Sequence, residues 1–411
     1  MNKTGRSSIY YGYIVVVAGV FIAAVAYGTF YTFGVFLKPM TAEFGWSRAI
    51  ISGAYSLAVA LVGIFSVVLG RLNDKYGPRI ITTVCGFLFG LGYLLMSQIT
   101  AIWQLYIIYG VMVAAGIMVA WVPLLSTVAR WFARRRGLMT GVVVSGIGLG
   151  TIIMSSLAEW LISAYGWRHA YIIMGTVILV VFITAAQFLR RDPSQKGLVP
   201  YGINKAVEKA AYLEAREFSL RQALSNRQFW MLFAVFCSFG FCIDAIIVHI
   251  VPHVTEFGIS ATIAANILAV IGAVSIIGRL VLGGAGDRIG NKRACIVGFI
   301  IMMVALAWLQ LAKEAWTFYL FVIVYGFAYG GLVTLMSPMV AELFGLGSHG
   351  AIMGIVTFAM TIGESIGPLM AGRIFDVTGG YQLAFLIFAI LAIIGLVSTL
   401  LLKPVINEGS V

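Results

Sequence analysis

Arg279 lies well inside an otherwise apolar stretch, Ser275 to Gly283, and no other Lys or Arg is placed this way. A guanidinium withheld from water is costly unless it is paired. Its planar fork matches a carboxylate with two parallel hydrogen bonds. Arg279 is therefore a candidate receiver of a carboxylate. The competing reading is a side chain that snorkels out of the apolar layer or bonds a helix end. Three further titratable residues, Asp244, His249 and Glu364, also sit in apolar runs. A carboxyl in such surroundings tends to hold its proton, and to release it beside a cation. With the site empty, Asp244 or Glu364 is expected to neutralise Arg279; protonating that acid would free Arg279 for an anion. Glu364 also has a plainer reading. It stands in Gly363-Glu364-Ser-Ile-Gly367-Pro368, where it could satisfy backbone groups freed by the proline. His249 titrates near neutral pH, or it marks an interface. Tyr31, Tyr329 and Asn266 are polar candidates for the same cavity, although Asn266 also suits a helix cap. Tyr27, Trp121 and Tyr325 read more readily as packing.

The elements that must hold these residues follow from composition. The 411 residues are 61% hydrophobic and only 10% charged, with mean hydropathy +1.01. Soluble domains are about one-quarter charged, so this chain requires lipid as its solvent. Twelve apolar spans are predicted, over 11–37, 48–70, 79–98, 103–128, 138–162, 169–189, 229–252, 262–283, 293–312, 316–341, 350–373 and 381–402. The expected architecture is an all-α membrane protein: a six-helix bundle over 1–189, a polar central loop over 190–228 with a short surface helix, and a second six-helix bundle over 229–411. With both termini cytoplasmic, 21 of the 27 Lys and Arg fall on the inner side and five on the outer side. That asymmetry is the positive-inside rule. It accounts for the net charge of +12 without nucleic acid and points to a multi-pass protein of the cell membrane. Cys85, Cys237, Cys242 and Cys295 lie in apolar runs and read as packing residues, with no metal-ligand spacing. Gly146-Ile-Gly148-Leu-Gly150 follows no strand, so it is not a nucleotide loop. No Walker loop, HExxH motif or nucleophile–His–acid set is present, so neither an enzyme nor a cofactor is expected.

The chain repeats itself at an offset of 213 residues. Gly70-Arg-Leu-Asn-Asp74-Lys-Tyr-Gly77 recurs as Gly283-Gly-Ala-Gly-Asp287-Arg288-Ile-Gly290, Gly137 matches Gly350, and Gly141 matches Gly354. Such repeats mark alternating-access transporters. The chemistry is not repeated: Asp244 pairs with Tyr31, His249 with Phe36, Arg279 with Ser66 and Glu364 with Thr151. The Gly70–Arg79 motif resembles the signature loop of the major facilitator superfamily. In that reading Gly70 and Gly283 let helices approach, and Asp74 and Asp287 accept hydrogen bonds from neighbouring helix N-termini. Arg79 and Lys292 lie at the cytoplasmic surface, and Arg288 is the basic residue of the second copy. Together they would latch one gate state. The plainer reading is a capped turn with topological charges.

A narrower resemblance is to the monocarboxylate transporters and the related bacterial oxalate/formate exchanger branch. It is carried by Tyr11-Gly12-Tyr13, by Trp131-Phe132-Ala-Arg134-Arg135-Arg136-Gly137-Leu138, and by Gly278-Arg279-Leu-Val-Leu-Gly283. The resemblance implies that Arg279 binds a carboxylate. At the positions of two further ionic residues of the animal relatives, this chain has Tyr31 and Ser275, which become candidate substrate contacts. The exchanger's second cation corresponds to about Met360, with no basic residue nearby. One cation suits one carboxylate, so the expected substrate is a small monocarboxylate of the lactate, pyruvate or acetate type, moved with a proton by a monomer. Oxalate/formate-type exchange is the alternative. The alternative of another class is a transporter-like solute sensor with 190–228 as its output.

Overall fold

In lipid a backbone has no hydrogen-bond partner but itself, so apolar runs close into helices. The computed structural model describes residues 10–203 and 217–403. Among these residues, twelve helices are long and apolar enough to cross a membrane. They are α1 (Tyr11–Phe44), α2 (Ile50–Tyr76), α3 (Pro78–Met96), α4 (Ile102–Trp131), α5 (Arg136–Tyr165), α6 (Trp167–Ala186), α7 (Arg227–Glu256), α8 (Thr262–Ile289), α9 (Asn291–Leu309), α10 (Ala315–Phe344), α11 (His349–Thr378) and α12 (Gln382–Leu401). The surface helix expected in the middle of 190–228 falls on residues outside those described. Nearer the ends of that segment are a 3₁₀ turn, Pro193–Lys196, and a short helix, Leu220–Leu224.

Several helices run well past the apolar spans. The signature segment Gly70–Tyr76, expected as a loop, is the last two turns of α2, and the chain turns only at Gly77, at φ +82°. The same correction applies at Gly290, at φ +91°. Polarity marks where lipid ends, whereas i→i−4 bonding continues until a residue breaks it, and glycine tolerates the positive φ of the turn. Arg279 consequently lies ten residues before the end of α8, about 15 Å along its axis, rather than one turn inside it. The cap at the start of α8 is Ser260, whose hydroxyl accepts from the Ile263 N–H; Asn266 lies a turn further on and caps nothing.

Two first-half helices are interrupted. α1 loses its regular ladder at Thr32. The Tyr93 hydroxyl donates to the Thr29 carbonyl at 2.6 Å and the Tyr109 hydroxyl to the Phe30 carbonyl at 2.9 Å. α4 is π-helical over Tyr106–Val113 and 3₁₀ over Met118–Ala120, with Pro123 just beyond.

Packing follows the sequence repeat. α1 lies along α5 and α7 along α11; across the halves α2 meets α11 and α5 meets α8. The glycines matched at offset 213 are used crosswise. A Cβ on Gly70 would strike the Gly350 carbonyl, and one on Gly137 would strike the Gly283 carbonyl. Gly141 lies against the Arg279 backbone and Gly354 against that of Ser66, which are also repeat partners. Small residues are what allow backbones to approach this closely in lipid.

Candidate functional site

Arg279 is 3% exposed. Its α8 backbone touches Gly141 of α5, and its Nη1 donates to the Val144 carbonyl of α5 at 2.9 Å. Its guanidinium carbon lies 5.9 Å from the centre of the Tyr329 ring on α10, within cation–π range. Its Nε is buried without a hydrogen-bond acceptor. Among the described residues no carboxylate stands within 4.0 Å of it. The expectation that Asp244 or Glu364 neutralises Arg279 in the empty site is therefore corrected. The Val144 carbonyl and the Tyr329 ring offset the charge in part, and donor capacity remains for an incoming acceptor.

The acids are nevertheless close by. Tyr329 lies within the electrostatic reach of Arg279, Asp244 and Glu364, and the two acids lie within reach of each other. Tyr27, Tyr31 and Tyr55 face them from the other half: Tyr27 lies near Glu364 and Tyr329, Tyr31 near Tyr329 and Asp244, and Tyr55 near both acids. Tyr31 is 47% exposed and has neighbours in both halves, so it stands at the seam between them. Trp121 follows the 3₁₀ break in α4, packs edge-on to Tyr27 at 6.2 Å between ring centres, and has a buried, unaccepted indole N–H.

The other candidates lie apart from this group. The Ser275 hydroxyl is turned back onto its own helix, donating to the Gly272 carbonyl. Asn266 is exposed near the start of α8. His249 bonds the Pro368 carbonyl of α11 through Nε2 at 2.9 Å and the Tyr381 hydroxyl through Nδ1 at 3.2 Å. It joins α7 to α11 and to the turn before α12.

One end of the bundle is shut. Asp74 accepts from the Gly350 and Ala351 N–H groups at the start of α11, at 3.1 and 2.8 Å, and Asp287 accepts from Gly137 and Leu138 at the start of α5, at 2.7 and 2.8 Å. These are carboxylates at helix N-termini. Asp74 also pairs with Arg130 of α4 at 3.1 Å. The Ser337 hydroxyl crosses between halves to the Leu125 carbonyl. Arg79 instead bonds Gln187, and Arg288 is exposed at the end of α8. Sequence reasoning passed over Tyr55 and Arg130. Tyr55 looks like any aromatic of an apolar run, and Arg130 is one of four clustered basic residues that read as a loop.

The family model of the Major Facilitator Superfamily matches residues 19–285 and 250–410. This chain belongs to the Major Facilitator Superfamily. This facilitator is thus a multi-pass membrane transporter and not an enzyme. It is 26% identical over 379 residues to rat monocarboxylate transporter 13, covering 92% of this chain and 85% of that one. It is likewise 26% identical to an uncharacterized MFS-type transporter of Escherichia coli K12, YhjX, covering 84% of each chain. Its fold matches that of the proton:xylose symporter XylE, with a TM-score of 0.76, 13% identity and 96% of each chain covered. It also matches the Escherichia coli fucose:proton symporter FucP, with a TM-score of 0.71, 17% identity, 97% of this chain and all of that one covered.

Proposed function

We propose that the protein moves a small monocarboxylate of the lactate, pyruvate or acetate type across the cell membrane together with a proton, by alternating access. The observation that carries this reading is Arg279: buried, unmatched by any described carboxylate, and with an Nε lacking an acceptor. The relation to monocarboxylate transporters supports the same substrate class. Met360 supplies no second cation on α11, which favours one carboxylate over two. In this reading the substrate carboxylate bonds Arg279 beside Tyr329, and Tyr31 borders the route in. Asn266 and Ser275 are lesser candidates, for the positions given above. A proton on Asp244 or Glu364 cancels the anion's charge, so the pair crosses without net charge. His249 is a proton-coupling candidate only through its bond to α11. The two halves, 1–189 and 229–411, rock about the site. The latches formed by Gly70, Asp74, Gly283 and Asp287, with Arg79 and Arg288 at their surface, close the cytoplasmic gate, and both termini and the 190–228 loop are cytoplasmic. A monomer holds every part of the site.

Radiolabelled lactate uptake into proteoliposomes tests the proposal, with and without an inward proton gradient, for the wild type and Arg279→Ala. Gradient-driven uptake that the substitution abolishes is expected. Uptake indifferent to the gradient but dependent on trans-side anion would make the protein an exchanger. Binding without flux would make it a sensor. Normal uptake by Arg279→Ala would remove the substrate class.

A further inference from the structure

Both halves hold the same two backbone positions with tyrosine hydroxyls. In the first half Tyr93 and Tyr109 donate to the carbonyls of Thr29 and Phe30, the two residues before Tyr31. In the second half the Tyr325 hydroxyl lies 2.7 Å from the Cys242 carbonyl and 3.3 Å from that of Ile243, the two residues before Asp244. Thr29 and Cys242, Phe30 and Ile243, and Tyr31 and Asp244 are each related by the 213-residue offset. The tyrosines are not: the positions 213 residues after Tyr93 and Tyr109 hold Leu306 and Val322, and the position 213 residues before Tyr325 holds Met112. The held carbonyls thus recur where the residues holding them do not. In the first half the helix is interrupted there, which gives its carbonyls a local reason to seek donors. α7 runs unbroken through Cys242 and Ile243, so Tyr325 is not needed to complete its ladder.

Tyr325 also belongs to a stack along α10. Its fully buried ring stacks on Phe321 at 5.3 Å between centres, inclined by 28°, and on Tyr329 at 6.4 Å, inclined by 14°. Tyr329 in turn lies over the Arg279 guanidinium. One rigid edge of α10 therefore touches the backbone that carries Asp244 and the side chain that caps Arg279. We propose that Tyr325 is a positioning residue: it fixes the distance between the Asp244 carboxyl and Arg279, and so ties proton release to carboxylate binding. This rests on the proposed proton-coupled function. The titratable and charged groups facing Asp244 from packed elements are Glu364 of α11, Tyr325 and Tyr329 of α10 with Arg279 of α8 behind Tyr329, and Tyr31 and Tyr55 of the first half. α12 contributes none.

The test is the pH profile of lactate uptake by purified protein in liposomes, normalised to folded protein, for wild type, Tyr325→Phe, Tyr109→Phe and Asp244→Asn. Without the hydroxyl the Asp244 carboxyl takes a different distance from Arg279, and the distance of an acid from a cation sets its proton affinity. Tyr325→Phe is therefore expected to move the midpoint of the profile by about half a unit or more. Tyr109→Phe is expected to alter the lactate KM and leave the midpoint in place. Should Tyr325→Phe fold poorly, 3,5-difluorotyrosine at position 325 keeps the ring and changes the donor strength, and must also move the midpoint. A midpoint unmoved by either replacement, while Asp244→Asn abolishes pH dependence, overturns the positioning role alone. If Asp244→Asn retains the wild-type profile, Asp244 does not carry the coupled proton and the positioning role fails; the proton-coupling reading itself fails if wild-type uptake shows no pH dependence.

Discussion

Arg279 stood out in the sequence because a charge inside an apolar run is rare and needs a reason. What the sequence could not show was its surroundings. The residue meets a carbonyl and an aromatic face, not an acid, and it keeps an unaccepted Nε. In the proposed role, a fork-shaped donor set that receives one carboxylate makes the identity of the cation matter. Arg279→Lys keeps the charge and loses the paired geometry. Lactate uptake by this variant should fall about 10-fold to 100-fold, as the loss of one charge-assisted hydrogen bond entails, with most of the loss in KM. Unchanged kinetics would mean that charge alone suffices. The phenols around the site were only partly legible. Tyr31 and Tyr329 were singled out because of their positions, but Tyr55 carries no local signal that separates a cavity-facing aromatic from a packed one. Trp121 reads as packing from sequence, and only the structure exposes its orphaned N–H.

At the level of elements, the two copies of the motif look alike in sequence and differ in structure. Both carboxylates receive two backbone N–H groups, and Asp74 also pairs with a buried guanidinium, that of Arg130, 7% exposed. Asp74→Asn leaves Arg130 with Asp192 at 3.5 Å as its remaining acidic partner. Breaking a buried pair costs about 3 kcal/mol; losing a charge-assisted contact at Asp287 costs about 1–2 kcal/mol. Asp74→Asn should therefore lower the unfolding temperature in detergent more than Asp287→Asn does, and equal shifts would count against a role for Arg130. The glycine crossings make a second prediction at this scale. A Cβ at Gly70 or Gly137 would occupy the place of a facing carbonyl. Gly70→Leu should prevent closure of this end, seen as increased labelling of a cysteine introduced at Tyr329 by a membrane-impermeant reagent applied from the Asp74 side. The helical course of Gly70–Tyr76 was not legible. Hydropathy reports the edge of the lipid, whereas the end of a helix depends on a conformational break at Gly77.

For the molecule as a whole, the Asp74 and Asp287 end is shut. In the proposed alternating-access cycle that end opens in turn. A cleavable thiol cross-linker joining Leu138→Cys to Gly284→Cys, which face each other across this end without a backbone clash, should therefore arrest uptake and release it on reduction; uptake that survives a complete cross-link would show that these helices need not part. Span number, the two-fold repeat and the arginine inside an apolar run were all set by the sequence, because each is a property of local composition or of spacing along the chain. Lipid forces an apolar run into a helix whatever its neighbours do. The crosswise pairing of Gly70 with Gly350 and of Gly137 with Gly283, the burial of Arg130, the distance between Arg279 and the acids, and the hold of Tyr325 on α7 were decided only by tertiary structure. Each joins residues far apart in the chain, and none leaves a periodicity or composition that a single sequence could display.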